Sequence, residues 1–337
     1  MKLLRGWVVI LLIAAGPRPG TWGLMLGAET SASRVTVEAL PYRGWKDALR
    51  ISNGRIEAVV VPAIGRVMRF GWVGDKENVL WENALLDGSS VVAADGTWKN
   101  FGGDKVWPSP QSDWPRMTAQ AWPPPSGFDS LPYTAKVIDH SIVLTSTVDA
   151  HYGIQTVRRI SMAPDSAVMT IASEFHKVNG MPIETGIWVI TQVADAERVY
   201  ALLPARSAFD QGYVQLSEAA PASLKRSGQL LSLSRHKTEN VKIGMDSRSM
   251  LWVGAKNVLL FDTQGVGGTF PDNGCRTAIY TNADPVPYIE METMGPLMKM
   301  KTGDVSAWSG TYTLIRRTQP TADAEAAKVF GLNSQGR

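Results

Sequence analysis

The chain carries one cysteine, Cys275, in 337 residues. That excludes an internal disulfide, a lipidated cysteine behind an export signal and a zinc site built on thiolates. Histidine is nearly as scarce. His140, His151, His176 and His236 are the four; each falls beside an expected turn or strand end, and no two stand at metal-ligand spacing. No apolar run reaches the ~20 residues of a membrane-spanning helix, so no stable membrane insertion is expected. The formal charge is only +3 at pH 7, and its basic residues are dispersed, which makes nucleic acid a poor partner. A Gly-x-Ser-x-Gly elbow is missing too. Gly265-Val-Gly-Gly268 has neither the spacing nor the strand–helix context of a nucleotide loop and reads as a turn before Thr269-Phe270-Pro271. Asp262, Asp272 and Asp284, with Asn273 and Asn282, lack the regular spacing of a calcium loop and read as turn residues. Neither a metal nor a cofactor is expected.

What is present begins with an export pattern. Lys2 and Arg5 precede the apolar run 7–15 and then Gly16-Pro17, so residues 1–32 are expected to be a signal peptide, cleaved after Ala28 or Ala32, and the protein periplasmic or secreted. No linker or repeat divides the remainder. One domain is expected over 33–318, large enough to be held by its core alone, followed by a partly helical tail over 319–337.

That domain reads as a succession of short strands. Ala48–Ser52 and Arg55–Val61 flank Asn53-Gly54, a strong hairpin signal. Arg66–Val73 and Asn78–Trp81 follow at similar spacing, and Ser141–Val148 alternates as a half-buried strand should. Gly153–Ala163 and Ser166–Phe175 meet at Pro164-Asp165. Gly186–Val193, Asn257–Asp262, Arg276–Thr281, Val286–Thr293 and Gly310–Arg317 continue the series, and only Asp323–Phe330 is helical in composition. So many strands with so little helix imply sheet packed on sheet, an all-β sandwich.

One stretch differs in character. Trp98–Trp122 reads WKNFGGDKVWPSPQSDWPRMTAQAW and holds four of the 12 tryptophans. Pro108, Pro110 and Pro115 argue against a helix interior or a central strand, so an ordered loop is expected. Indole faces beside fixed polar groups suit a sugar ring, whose C–H face is apolar and whose hydroxyls need partners. A tryptophan-rich loop that simply covers one end of a sandwich is the alternative. Asp104 and Lys105 follow Gly102-Gly103 directly. Lys105 is a candidate acid or anion binder, Asp104 a candidate partner for hydroxyls, and the two together are equally readable as an ion pair pinning the loop.

Arg50–Asn83, with ISNGRIEAVVVPAIGRVMRFGW and NVLWEN, together with FGGDKVWPSP, WVITQ (188–192) and YIEMETMGP (288–296), resembles the galactose mutarotase-like superfamily. Within it, the Gly-Gly-Asp-Lys-x-Trp-Pro phrase resembles a bacterial branch carried as a domain of unknown function. The resemblance implies a β-supersandwich whose broad sheet forms a cup for a carbohydrate ligand. It does not fix an activity, since epimerases, lyase and hydrolase domains and plain binders share the fold. It also implies that Glu292, in Met-Glu-Thr-Met, stands where the family places its general base. On a strand, Tyr288, Glu290 and Glu292 share a face, with the carboxylates ~7 Å apart. Facing a closed cup, they would raise at least one pKa by repulsion and desolvation; the alternative is that both simply face solvent. Trp188 and Gln192 share a face too, as a stacking platform and an amide contact, and Arg66 lies near the superfamily's substrate-binding arginine. The imidazole acid is missing: Gly186 stands where the family has histidine, and Trp188 where it has tyrosine. That disfavours ordinary aldose 1-epimerase chemistry and leaves an enzyme on a sugar or polysaccharide fragment, a non-catalytic carbohydrate binder and a structural domain as the readings.

Overall fold

Asn53-Gly54 turns the chain as the hairpin signal requires. The Asn53 Oδ1 accepts from the backbone N–H of Arg55 and of Ile56, both at 3.0 Å, and Gly54 takes φ +83°. Trp45–Ser52 and Ile56–Val61 consequently pair antiparallel, Ser52 opposite Glu57. The computed structural model describes residues 35–91 and 97–332; the expected signal segment, 1–32, lies outside them.

Two antiparallel sheets follow from repeated pairing of this kind among the described residues. The first has eleven strands, ordered Thr36–Tyr42, Trp45–Ser52, Ile56–Val61, Arg66–Trp72, Asp104–Ser109, Ile183–Ala194, Tyr288–Met294, Thr277–Thr281, Val241–Met245 and Val214–Gln215, with Met298–Met300 paired to the start of Ile183–Ala194. The second has ten: Lys225–Ser227, Leu230–Leu233, Arg198–Leu202, Ser249–Val253, Asn257–Thr263, Val305–Arg316, Val168–Lys177, Ile154–Met162, Ser141–Val148 and Thr134–Ile138. The inward faces meet in one apolar cluster, to which Ile51, Val67, Ile243, Ile289 and Met291 of the first sheet and Leu144, Ile171, Leu259 and Leu314 of the second contribute. Each such side chain fully withdrawn from water contributes about 1.5–3 kcal/mol. This is the sheet-on-sheet sandwich that the strand pattern implied, with the broad sheet that the resemblance implied.

Two local expectations fail. Asp104–Ser109, expected as loop, is a strand inside the first sheet, with Pro108 opposite Ile187. Proline is tolerated there because the preceding strand meets this one only at Val67 opposite Asp104. Beyond Asp104 the other edge carries no ladder, and a missing N–H costs nothing. The helix Ser126–Asp129 packs against this strand instead, and the buried Trp114 of the short helix Trp114–Thr118 donates its Nε1–H to the Pro108 carbonyl at 3.0 Å. Asn78–Trp81, expected as a strand, makes an isolated bridge from Leu80 to Val193, while the Asn78 side chain bonds Met68 O and the Phe70 N–H. At the C-terminal end, helix Ala322–Val329 buries Ala322 and Ala326 against Tyr200, Leu251 and Val253 of the second sheet.

Candidate functional site

Strand alternation decides which residues turn away from the second sheet. On the three central strands Lys105 and Glu292 both stand opposite Ile190, Gln192 opposite Glu290, and Trp188 opposite Trp107. Since Val193, Ile289 and Met291 enter the core between the sheets, the outer face carries Lys105, Trp107, Trp188, Ile190, Gln192, Glu290 and Glu292. The next strands extend it: Ala278 stands opposite Glu292, Tyr280 opposite Glu290, and Lys242 opposite Tyr280.

The charged groups on this face form a chain of unlike neighbours. Glu292 Oε2 accepts from Trp188 Nε1–H at 2.8 Å and pairs with Lys242 Nζ at 2.8 Å. Glu290 Oε1 accepts from Gln192 Nε2 at 2.9 Å and lies 3.5 Å from Lys105 Nζ, within ion-pair range. Behind Lys105, Arg66 pairs with Asp129 at 2.8 Å and donates to Gly102 O at 2.8 Å. Side-chain exposure is 2% for Lys105 and 0% for Glu292, against 13% for Glu290 and 18% for Lys242. Solvent therefore reaches this site past Glu290 and Lys242.

Burial shifts the two enclosed groups in useful directions. The Glu292 carboxyl is pushed up to about 7, first by desolvation, against the opposing Lys242 ammonium and with Glu290 repulsion adding to it. Lys105 is held below the ordinary lysine range, again by desolvation first, with Glu290 resisting and Arg66 assisting. Lys242 is raised above the ordinary lysine range: desolvation, the largest single effect, depresses it, but Glu292, Asp272 and Glu290 together outweigh that. A carboxyl near neutrality can give and take a proton at physiological pH, and burial makes the Lys105 ammonium a readier proton donor than an exposed one.

Aromatic surface frames these groups. Trp98, Trp107, Trp114, Trp122 and Trp188 form one cluster, with Trp107 and Trp188 edge to face at 5.4 Å. Lys105 Nζ lies 4.9 Å from the Trp107 ring and Lys242 Nζ 4.6 Å from Trp188. On the other side Trp81 packs on Tyr288 at 4.9 Å and Tyr288 on Tyr280 at 6.1 Å.

Residues 47–245 match the family described as a domain of unknown function (DUF4380), more than half of the chain. The chain belongs to the DUF4380 family. No curated protein matches it. Solved structures share the fold at low identity. A putative aldose 1-epimerase from Klebsiella pneumoniae aligns with TM-score 0.57 at 12% identity, over 90% of this chain and 88% of that one. A galactose mutarotase-like protein from Lactobacillus casei aligns with TM-score 0.55 at 10% identity, over 80% and 100%. A TPR-domain containing protein from Parabacteroides distasonis gives TM-score 0.55 at 12% identity over 81% of this chain, which spans only 47% of that protein.

In this DUF4380 chain the candidate residues separate by face. Glu290, Glu292, Lys105, Trp107, Trp188 and Gln192 gather on the outer face. Asp104 does not. One residue from Lys105 on the same strand, it turns inward, pairs with Arg158 of the second sheet and accepts from Thr191 Oγ1 at 2.6 Å and Tyr312 OH at 2.7 Å. It ties the two sheets together, and the Asp104–Lys105 pair exists neither as a site nor as a mutual ion pair. Arg66 reaches the outer side and commits its two terminal nitrogens to Gly102 O and Asp129 beneath Lys105, holding the loop, while its Nε is buried without a partner. Gly102-Gly103 is what brings that loop in. At φ +93° and +71°, a Cβ would stand 2.2 Å from Trp81 O at the first position and 2.4 Å from Val67 O at the second.

The histidines lie elsewhere. His140 and His151 are exposed in turns, His176 on the second sheet bonds Glu174 at 2.7 Å, and His236 lies beside Glu239. Gly186 leaves no room for the histidine that the mutarotase resemblance would put at this position, since a Cβ there would meet Ser109 Oγ at 2.7 Å and Gly295 O at 2.9 Å. Two contributors escaped sequence reasoning. Lys242 sits on Val241–Met245, where Val241, Ile243 and Met245 alternate with Lys242 and Gly244, a period-two signal short enough to pass unread. Asp129 is placed only by its tertiary partners, Arg66 and the Trp98 indole.

Proposed function

We propose that the outer face of the eleven-stranded sheet binds a saccharide, and that Glu292 and Lys105 exchange protons with it. One observation carries this reading. Lys105 Nζ, Trp107 Nε1, Gln192 Oε1 and Glu292 Oε1 are all buried on this face without a hydrogen-bond partner. Each orphaned polar group costs about 1–3 kcal/mol, and four converging on one face is the signature of groups kept for a ligand rather than for the fold. The set mixes donors with acceptors and stands beside indole faces, which matches hydroxyls around a ring with an apolar side. Lys105 and Glu292 flank Ile190 from neighbouring strands, ~10 Å apart at the backbone. That leaves one sugar ring between the tips of two long side chains. Glu292 would take a proton from a hydroxyl on one side, and Lys105 would give one to a ring or bridging oxygen on the other. The solved mutarotase-like relatives support the carbohydrate class by fold.

A second reading has its own support. Glu292 is held by Trp188 and Lys242, and the imidazole position is sterically closed at Gly186, so a binder without turnover fits the same face. The pattern at residues 1–32 supports export to the periplasm or beyond, which mass spectrometry of the N-terminus of protein recovered from cell fractions would test. Tryptophan fluorescence titrated with neutral sugars, uronic acids and oligosaccharides tests binding, and product analysis of each hit tests catalysis. Glu292→Gln is expected to abolish turnover while changing affinity less than about three-fold. Equal loss of both would remove the proton-transfer role, and silence across the panel would remove the saccharide.

A further inference from the structure

The outer face continues past Glu292 into a second feature that the proton-transfer chemistry does not use. Arg276 precedes Thr277–Thr281, and the ladder runs on through it, its N–H bonding Met245 O and its carbonyl accepting from Met294 N–H, both at 2.8 Å. Alternation places Arg276 on the face of Ala278, the register partner of Glu292, ~7 Å further along the strand. Beside Arg276, where the ends of the two sheets meet, a cavity of about 680 Å³ opens, lined by Arg206, Arg248 and Arg276 with Asp246 and the loop 265–267, and on its other side by Leu202 and Ser249 of the second sheet.

The arginines are held without a direct ion pair, and three of them outnumber the single acid of the lining. Arg276 lies 4.0 Å over the Phe270 ring and donates from Nη1 to Val266 O at 2.7 Å. Arg248 rests on Gly265 so closely that a Cβ there would stand 2.1 Å from its Nη1. Among the described residues none of the three forms an ion pair with an acidic side chain. The one acid in the lining, Asp246, is already engaged by Ser207 Oγ at 2.8 Å and the Ala208 N–H at 2.6 Å. Three guanidiniums facing one cleft repel one another, and planar forks of donors are suited to an anion with several oxygens.

We infer that this cleft binds an oxyanion, a carboxylate, sulfate or phosphate, and that, on the saccharide reading above, the ligand is an acidic sugar whose charged substituent sits here while its ring lies at Glu292. Calorimetric titration of the mature protein at low ionic strength, using inorganic phosphate, glucose 6-phosphate, glucuronic acid and glucose, tests it. At least one charged sugar is expected to bind ten-fold or more tightly than glucose. That advantage should vanish in the double variant Arg206→Gln/Arg248→Gln, both exposed positions, and persist in Glu292→Gln. Phosphate binding that depends on the two arginines, with no sugar bound, would support the cleft and sink the saccharide reading. Charged and neutral sugars bound alike, or a preference unchanged in the double variant, would overturn the cleft. So would a protein that binds none of the four probes.

Discussion

Asp104 and Lys105 are neighbours on one strand, both buried and both charged, yet their replacement should have opposite consequences. Asp104→Asn keeps the shape but removes the charge that compensates Arg158, which is itself wholly buried between the sheets. It also puts an amide among the hydroxyls of Thr191 and Tyr312, which now donate to a carboxylate. Breaking a buried pair from one side costs about 3–5 kcal/mol, because the remaining charge is left uncompensated. At about 2 °C per kcal/mol for a domain of this size, the melting temperature should fall by ~6–10 °C. Lys105→Met removes a cation that has no hydrogen bond and only a 3.5 Å approach to Glu290, while Glu290 keeps Gln192. Exchange of a poorly compensated buried ion for an apolar chain of similar length is neutral or stabilising, here by up to ~2 kcal/mol. Differential scanning calorimetry or urea unfolding of the two variants beside the wild type reads both numbers. An Asp104→Asn loss under about 1 kcal/mol, or a Lys105→Met loss as large as that of Asp104→Asn, would refute the division of this strand into a structural face and a ligand face.

Two further outcomes follow from the same geometry. Because the folded state holds the Glu292 proton up to about 7 against an ordinary 4.5, it binds more protons than the unfolded chain across that window. Wild-type stability should therefore decline as pH rises from 4.5 to 7 relative to Glu292→Gln, and parallel stability–pH curves would contradict the assignment. Gly103→Ala forces an alanine to φ +71° with its Cβ 2.4 Å from Val67 O. A loss of at least ~2 kcal/mol is expected in urea denaturation, and a smaller one would mean the loop yields without strain.

The strands that announce themselves locally were legible. Asn53-Gly54 specifies its hairpin through short-range chemistry and stands as read. Ser141–Val148 is a strand with the expected bounds, but its half-buried alternation does not hold: Ser141 to Leu144 and Ser146 are all buried, because the strand lies inside the second sheet. Asp104–Ser109 was not, because Pro108 is a breaker only where both edges of a strand are paired, and that depends on how far Arg66–Trp72 runs alongside. Misreading that strand as loop hid the parity of Asp104 and Lys105, since facing has no meaning until the element is known. Glu290, Glu292, Trp188 and Gln192 were legible as shared faces because their strands were recognised. Lys242 and Asp129 were not, because each reaches the site through a partner 50 or more residues away in sequence.

The five indoles from Trp98 to Trp188 lie 4.9 to 6.4 Å from their neighbours, centroid to centroid. At such separations they do not absorb or emit as independent chromophores. Excitation passes among them within the excited-state lifetime, and coupled transitions split into paired bands of opposite sign in circular dichroism. Trp188, bonded to Glu292, and the half-exposed Trp122 at the far side of the cluster therefore report to one another. The chain carries an optical probe of its own candidate site, in which protonation at Glu292 or contact at Trp122 alters one collective spectrum.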